Sequence, residues 1–174
     1  LVFEIVDEDG TRMETRSVDQ TSHTFVFRAP KRPRLVVVDP DFAVPAEIKL
    51  EAPGDMLRAQ LGSARTARGR MLAAGPLGKL DDPPTTKALT AALASESEFW
   101  GVRVEAAAAL GVLHSDEAFD VLAANAATKH PKVRRAIVVA LGRFRTTKAA
   151  ELLAKMALSD ASYLVEAEAA RGGD

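Results

Sequence analysis

The stretch GVRVEAAAALGVL at 101–113 returns thirty-one residues later as KVRRAIVVALGRF at 132–144. Arginine, alanine, leucine and glycine keep their places. Arg103 and Arg134 are 31 residues apart, as are Gly111 and Gly142, and Leu122 and Leu153. Upstream, Arg70, Gly78 and Leu89 precede Arg103, Gly111 and Leu122 by 33 residues, and Val133 maps onto Val165 at 32. A fixed period of this size restricts the chain to a stack of similar units. No unit can bury its apolar face alone, so each completes the interior of the next.

Within the period the apolar spacing is helical. Val133, Ile137, Leu141 and Phe144 share one helix face, as do Val102, Ala106, Leu110 and Leu113. About four helix pairs are predicted: 55–62 with 65–78, 85–95 with 99–112, 116–127 with 131–144, and 147–158 with 161–171. Each repeated glycine follows a leucine, the place for a left-handed residue that ends a helix. Pro76 falls where later copies carry alanine or valine, and is expected to kink or shorten its helix.

Residues 1–54 read differently. LVFEIVDEDGTRMETRSV is two strand-like runs around Asp9-Gly10. HTFVFRA alternates, with Phe25 and Phe27 on one face and Thr24 and Val26 on the other, and RLVVVDP and EIKLEAPGD add short runs. The fold class expected is α+β in two separate domains. An antiparallel, immunoglobulin-like and possibly incomplete β-sandwich over 1–54 precedes an all-α repeat solenoid over 55–174. Leu1 is not an initiator methionine, and the chain opens inside strand-like sequence, so it reads as a piece of a longer protein.

The pattern V-R-x-x-A-x-x-A-L-G followed by A-x-x-x-L, carried by VRVEAAAALG with AFDVL and by VRRAIVVALG with AAELL, resembles HEAT-like repeats. The order of parts, with P-x-x-V-V-D-P at Pro33 to Pro40 and D-x-S-Y-x-V at Asp160 to Val165, resembles the carboxy-terminal region of bacterial zinc aminopeptidases of the aminopeptidase N type. That resemblance implies a non-catalytic fragment. Its repeats would wall a peptide-substrate chamber or dock on a missing amino-terminal catalytic domain, and zinc would belong to the parent protein. The family's H-E-x-x-H and G-x-M-E-N motifs are lacking, so no catalytic, cofactor or metal site is expected in this chain. Two alternatives stand beside it: a HEAT-repeat protein-interaction scaffold without peptidase activity, and a nucleic-acid-binding solenoid.

The candidate contact residues are Arg70, Arg103, Arg134, Arg135 and Trp100. The recurrent arginines could present a row of guanidiniums to a carboxylate or phosphate, or form an ion-pair ladder between repeats. Glu98 and Asp160, just ahead of the arginine position in their copies, favour the ladder. Trp100 reads as an interface anchor or as a staple onto the previous repeat, and Tyr163 as a partly buried ring with a bonded hydroxyl.

Residues 121–150 hold seven basic residues and no acid, and RAPKRPR adds four more. Against a nucleic-acid role stand the formal net charge of −1 and the few aromatics beside these bases. The chain has no cysteine, which leans towards a reducing compartment such as the cytoplasm, and no apolar run of membrane-spanning length.

Overall fold

The computed structural model describes residues 1–172. They form three strands, β1 (Val2–Asp7), β2 (Gly10–Thr15) and β3 (Leu35–Val38), followed by eight helices. The helices are α1 (Gly54–Ser63), α2 (Ala67–Leu77), α3 (Pro83–Ala94), α4 (Trp100–Leu113), α5 (Asp116–Ala124), α6 (Pro131–Leu141), α7 (Thr147–Ser159) and α8 (Tyr163–Gly172). The pairs α1–α2, α3–α4, α5–α6 and α7–α8 fall on the four predicted units.

The strands make one antiparallel sheet in the order β2-β1-β3. Asp7 pairs with Gly10, so the hairpin turns on Glu8 and Asp9, and Gly10 takes φ 130° on re-entering the ladder. The described residues form one sheet, where two facing sheets were expected. Phe25 and Phe27 do lie on one side and Thr24 and Val26 on the other, but their segment pairs with no strand. Their rings instead cover Phe3, with centroids 5.5 and 5.0 Å away. The alternation therefore records one-sided burial, not a backbone ladder. Residues 47–53 are likewise irregular.

The sheet's other face meets the first helix pair. Leu35 and Val37 pack with Ala64 and Ala59. Glu4, 2% exposed, accepts from Arg65 Nε at 3.3 Å, and Arg65 also holds Asp41 at 2.9 Å. An ionised carboxylate at that depth requires such a partner.

One continuous core runs through all four pairs. Leu77, Leu110 and Leu141 are fully buried in it, as are Leu89 and Leu122, and Leu153 almost so. Side-chain oxygens of Thr66, Asp82, Ser115 and Thr146 cap α2, α3, α5 and α7, a contribution of about 1 kcal/mol each. The even-numbered helices pack closely one on the next, while the odd-numbered ones touch sparsely. The stack therefore curves towards the even-numbered layer, which lines its inner side.

The repeated glycines have a different role from the one expected. Gly78 and Gly142 are right-handed, with φ −60° and −61°, and Gly111 lies inside α4. His114 takes the left-handed cap instead, at φ 54°. Gly78 and Gly111 serve close approach, whereas a Cβ on Gly142 would meet only ordinary contacts at 3.6 Å. A Cβ on Gly78 would sit 3.0 Å from Ala109 Cα, and one on Gly111 2.8 Å from Ala140 Cβ. Small residues thus meet small residues wherever one even-numbered helix crosses the next. Pro76 is the penultimate residue of α2, whose 11 residues match α6, so it sets no length of its own.

Candidate functional site

The three recurrent arginines point into the junctions between repeats. Arg70 Nη1 donates to Ala64 O at 2.7 Å, and its Nη2 reaches Glu98 at 2.8 Å. Arg134 Nη1 donates to Thr128 O and Lys129 O, and its Nε and Nη2 grip both oxygens of Asp160 at 2.8 Å. Arg103, 4% exposed, has no acid in the equivalent place. It donates to Leu93 O at 2.8 Å and to Thr128 Oγ1 at 2.5 Å. Each guanidinium thus ties a carbonyl at the bend of its own helix pair to the bend of the following pair. Glu98 serves Arg70 and Asp160 serves Arg134. Hydrogen bonds from Arg134, joined by one from Ser162 N–H, hold the Asp160 carboxyl below its ordinary value against the opposing effect of burial.

Arg135 and Trp100 lie elsewhere, on the inner layer. They border a groove of about 540 Å³ between α4, α6 and the start of α8. Its floor is Val104 and Ala108 from α4, Ala136 and Val139 from α6, and Leu164 from α8. Trp100 closes one end. Its ring stacks on His130 at 5.6 Å and carries the Lys132 ammonium 4.1 Å from its centroid. Trp100 therefore packs on the repeat that follows it. Arg135 stands on the rim and pairs with Glu168 at 2.8 Å. Tyr163 is 77% exposed with no hydrogen bond from its hydroxyl among the described residues, contrary to the buried, bonded ring expected.

The sequence contained one signal for this groove. Ala108 and Val139 are equivalent in the period and lie off the buried stripe of α4 and α6, yet neither is polar. Single exposed apolar residues are ordinary, and these two gain meaning because they join Val104, Ala136 and Leu164 in one contiguous apolar surface.

A second cavity, of about 770 Å³, lies between residues 42–51 and α2. Phe42 is held at φ 56° by a turn in which Asp39 accepts from Ala43 N and Val44 N, and the Arg68 guanidinium lies 4.0 Å over its ring. Burial pushes the Glu105 carboxyl at this cavity up from its ordinary value.

Much of the basic charge is already engaged. Arg58 pairs with Asp82, Arg65 with Glu4 and Asp41, and Lys129 with Glu96. Among the described residues, no three His, Cys, Asp or Glu side chains gather as metal ligands, and no helix is long and apolar enough to cross a membrane.

Residues 86–172 match the family model for HEAT repeats. The chain belongs to the HEAT-repeat family. No curated protein shows a significant match. Among solved structures, human deoxyhypusine hydroxylase in complex with glycerol is similar, with a TM-score of 0.58 and 27% identity over 74% of this chain and 43% of that one. The complex of CpcE and CpcF of phycocyanin lyase from Nostoc sp. PCC7120 gives a TM-score of 0.53 and 29% identity over 69% of this chain and 47% of that one. This HEAT-repeat chain thus spans less than half the length of either.

These matches correct the aminopeptidase resemblance. The family matched is HEAT repeats, and the similar structures are a hydroxylase and a lyase complex, neither of them a metallopeptidase. The zinc-bearing parent, its catalytic neighbour domain and the peptide chamber go with that reading. The short phrases at Pro33–Pro40 and Asp160–Val165 have local explanations. Val37 and Leu35 are sheet core, and Asp160 is the acid that Arg134 clasps.

Proposed function

We propose that this HEAT-repeat scaffold carries a protein partner on its inner, even-numbered layer, with Trp100 and Arg135 among the contacts. One observation supports the reading above others: an apolar groove on the inner curve, with Val139 47% and Leu164 60% exposed, on a chain whose recurrent arginines are consumed in holding the stack together. Surfaces of that kind are covered in use. One of the similar structures is itself a complex of two proteins. In this reading residues 1–54 form a domain that caps the outer end of the first repeat, since terminal repeats need cover for their open face. The nucleic-acid alternative has less support, since the formal net charge is −1 and few aromatics stand beside the bases.

The test is site-specific photocrosslinking in cells that express the full-length protein. A crosslinking phenylalanine analogue replaces Val139 in the groove, or Asp120 on exposed α5 as the control. The expected result is a protein adduct from position 139 that is absent from 120, with the purified partner failing to rebind a Val139→Asp variant. Equal labelling at both positions, or none at 139, would overturn the reading.

A further inference from the structure

We infer that the occupant of this groove is an acidic amphipathic helix of another protein, laid along the furrow between α4 and α6; the inference rests on the scaffold reading above. The furrow has two parallel walls with helical spacing. Trp100, Val104 and Ala108 lie at i, i+4 and i+8 on α4, and Lys132, Ala136 and Val139 at i, i+4 and i+7 on α6. From Trp100 to Ala108 the wall is about 12 Å long at 1.5 Å per residue, two turns of helix. Alanines at 108 and 136 keep the floor low enough for a rod to settle, the arrangement by which a groove takes the apolar stripe of a helix.

Charge fixes which helix. Lys132 forms a cation–π contact with Trp100 and no ion pair among the described residues. Beside it on the rim stands Arg135, whose side chain is about half exposed although it pairs with Glu168. The helices α4 and α6 start at Phe99 and His130 with no side-chain cap and no acidic residue in the first turn. The amino-terminal dipole end of α6 adds positive potential near Trp100, whereas at α4 the Glu98 carboxylate, which accepts from Phe99 N–H at 2.6 Å, offsets it. A partner helix with leucine-like residues on one face and carboxylates flanking them meets both requirements. A basic helix meets only the first.

Trp100 is the single tryptophan of the chain, so its emission reports on the furrow directly. Two synthetic helical peptides of about 14 residues, roughly four turns, serve as probes. They share one leucine stripe, flanked by glutamates in one and by lysines in the other. The intact protein is titrated with each. The acidic peptide is expected to shift Trp100 emission and to bind at least about tenfold tighter than its lysine twin, equivalent to about 1.4 kcal/mol. The preference should shrink with added salt, since rim charges are screened. Ala136→Asp should abolish binding, and Lys132→Glu with Arg135→Glu should reverse the preference. Lys132 and Arg135 are exposed and Ala136 is partly buried against the core, so far-ultraviolet circular dichroism is recorded on each variant and should show unchanged helix content. Equal affinity for the two peptides, or no change in Trp100 emission with either, overturns the inference. So does duplex DNA shifting that emission in place of the peptides, or self-association burying Trp100. Adducts at position 139 without discrimination between the peptides would leave the scaffold reading intact and remove this one. No adducts at 139 would remove the scaffold reading first.

Discussion

Arg134 and Asp160 show how a repeat chain converts a recurring letter into a joint. Their side chains are 12% and 7% exposed, so the pair is not an ordinary surface ion pair. Removing one partner strands the other charge away from water. Asp160→Asn is therefore expected to lower stability by roughly 3 kcal/mol, read as a shift of the urea midpoint. Because the folded carboxyl titrates below its unfolded value, the pair's stabilisation is fully present above the ordinary aspartate range and is lost as pH falls through the folded value. Stability of the native chain should thus drop on acidification through that window, and the drop should be smaller in Asp160→Asn. The arginine period was legible from sequence, and so were its acids. That Arg103 would end on a threonine hydroxyl and a carbonyl was not, because Lys129 occupies the acid's place and Thr128 carries no sign of its task.

Among the elements, helix boundaries were readable to within a few residues because the apolar period and the capping residues agree. The glycines were legible as fixed points but not as contacts. A residue that ends a helix and one that lets two helices touch look alike in a single sequence, and only the neighbour's Ala140 tells them apart. This yields a test with a counter-intuitive sign. Gly111→Ala should raise intrinsic helix preference by about 1 kcal/mol. It is nonetheless expected to destabilise the protein by about 1–3 kcal/mol through overpacking, measured by thermal unfolding. If the alanine variant melts at a higher temperature than the native chain, close approach is not the reason for glycine there. The phenylalanines of residues 25–27 carry the complementary lesson: alternation reveals a covered face but says nothing of backbone partners, and so suggested a strand that is absent. The groove was obscured because Val104, Ala108 and Ala136 are ordinary helix residues until their exposure is known.

For the molecule as a whole, stability is the sum of units and the joints between them. Leu153 is nearly fully buried in the last pair, and Leu153→Ala should cost about 2–5 kcal/mol there. Trp100 senses the second and third pairs, so in that variant circular dichroism should begin to fall at lower urea than Trp100 emission does. Coincident transitions would mean that the four pairs unfold as one body. The joints also make the copies non-interchangeable. Arg70 needs Glu98, Arg103 needs Thr128, and Arg134 needs Asp160. An unequal exchange within the gene that spliced the first copy directly to the third would bring Lys129 to the place of Glu98, setting ammonium against guanidinium. The sequence similarity that invites such recombination is therefore checked by a keyed coupling that rejects at least that splice.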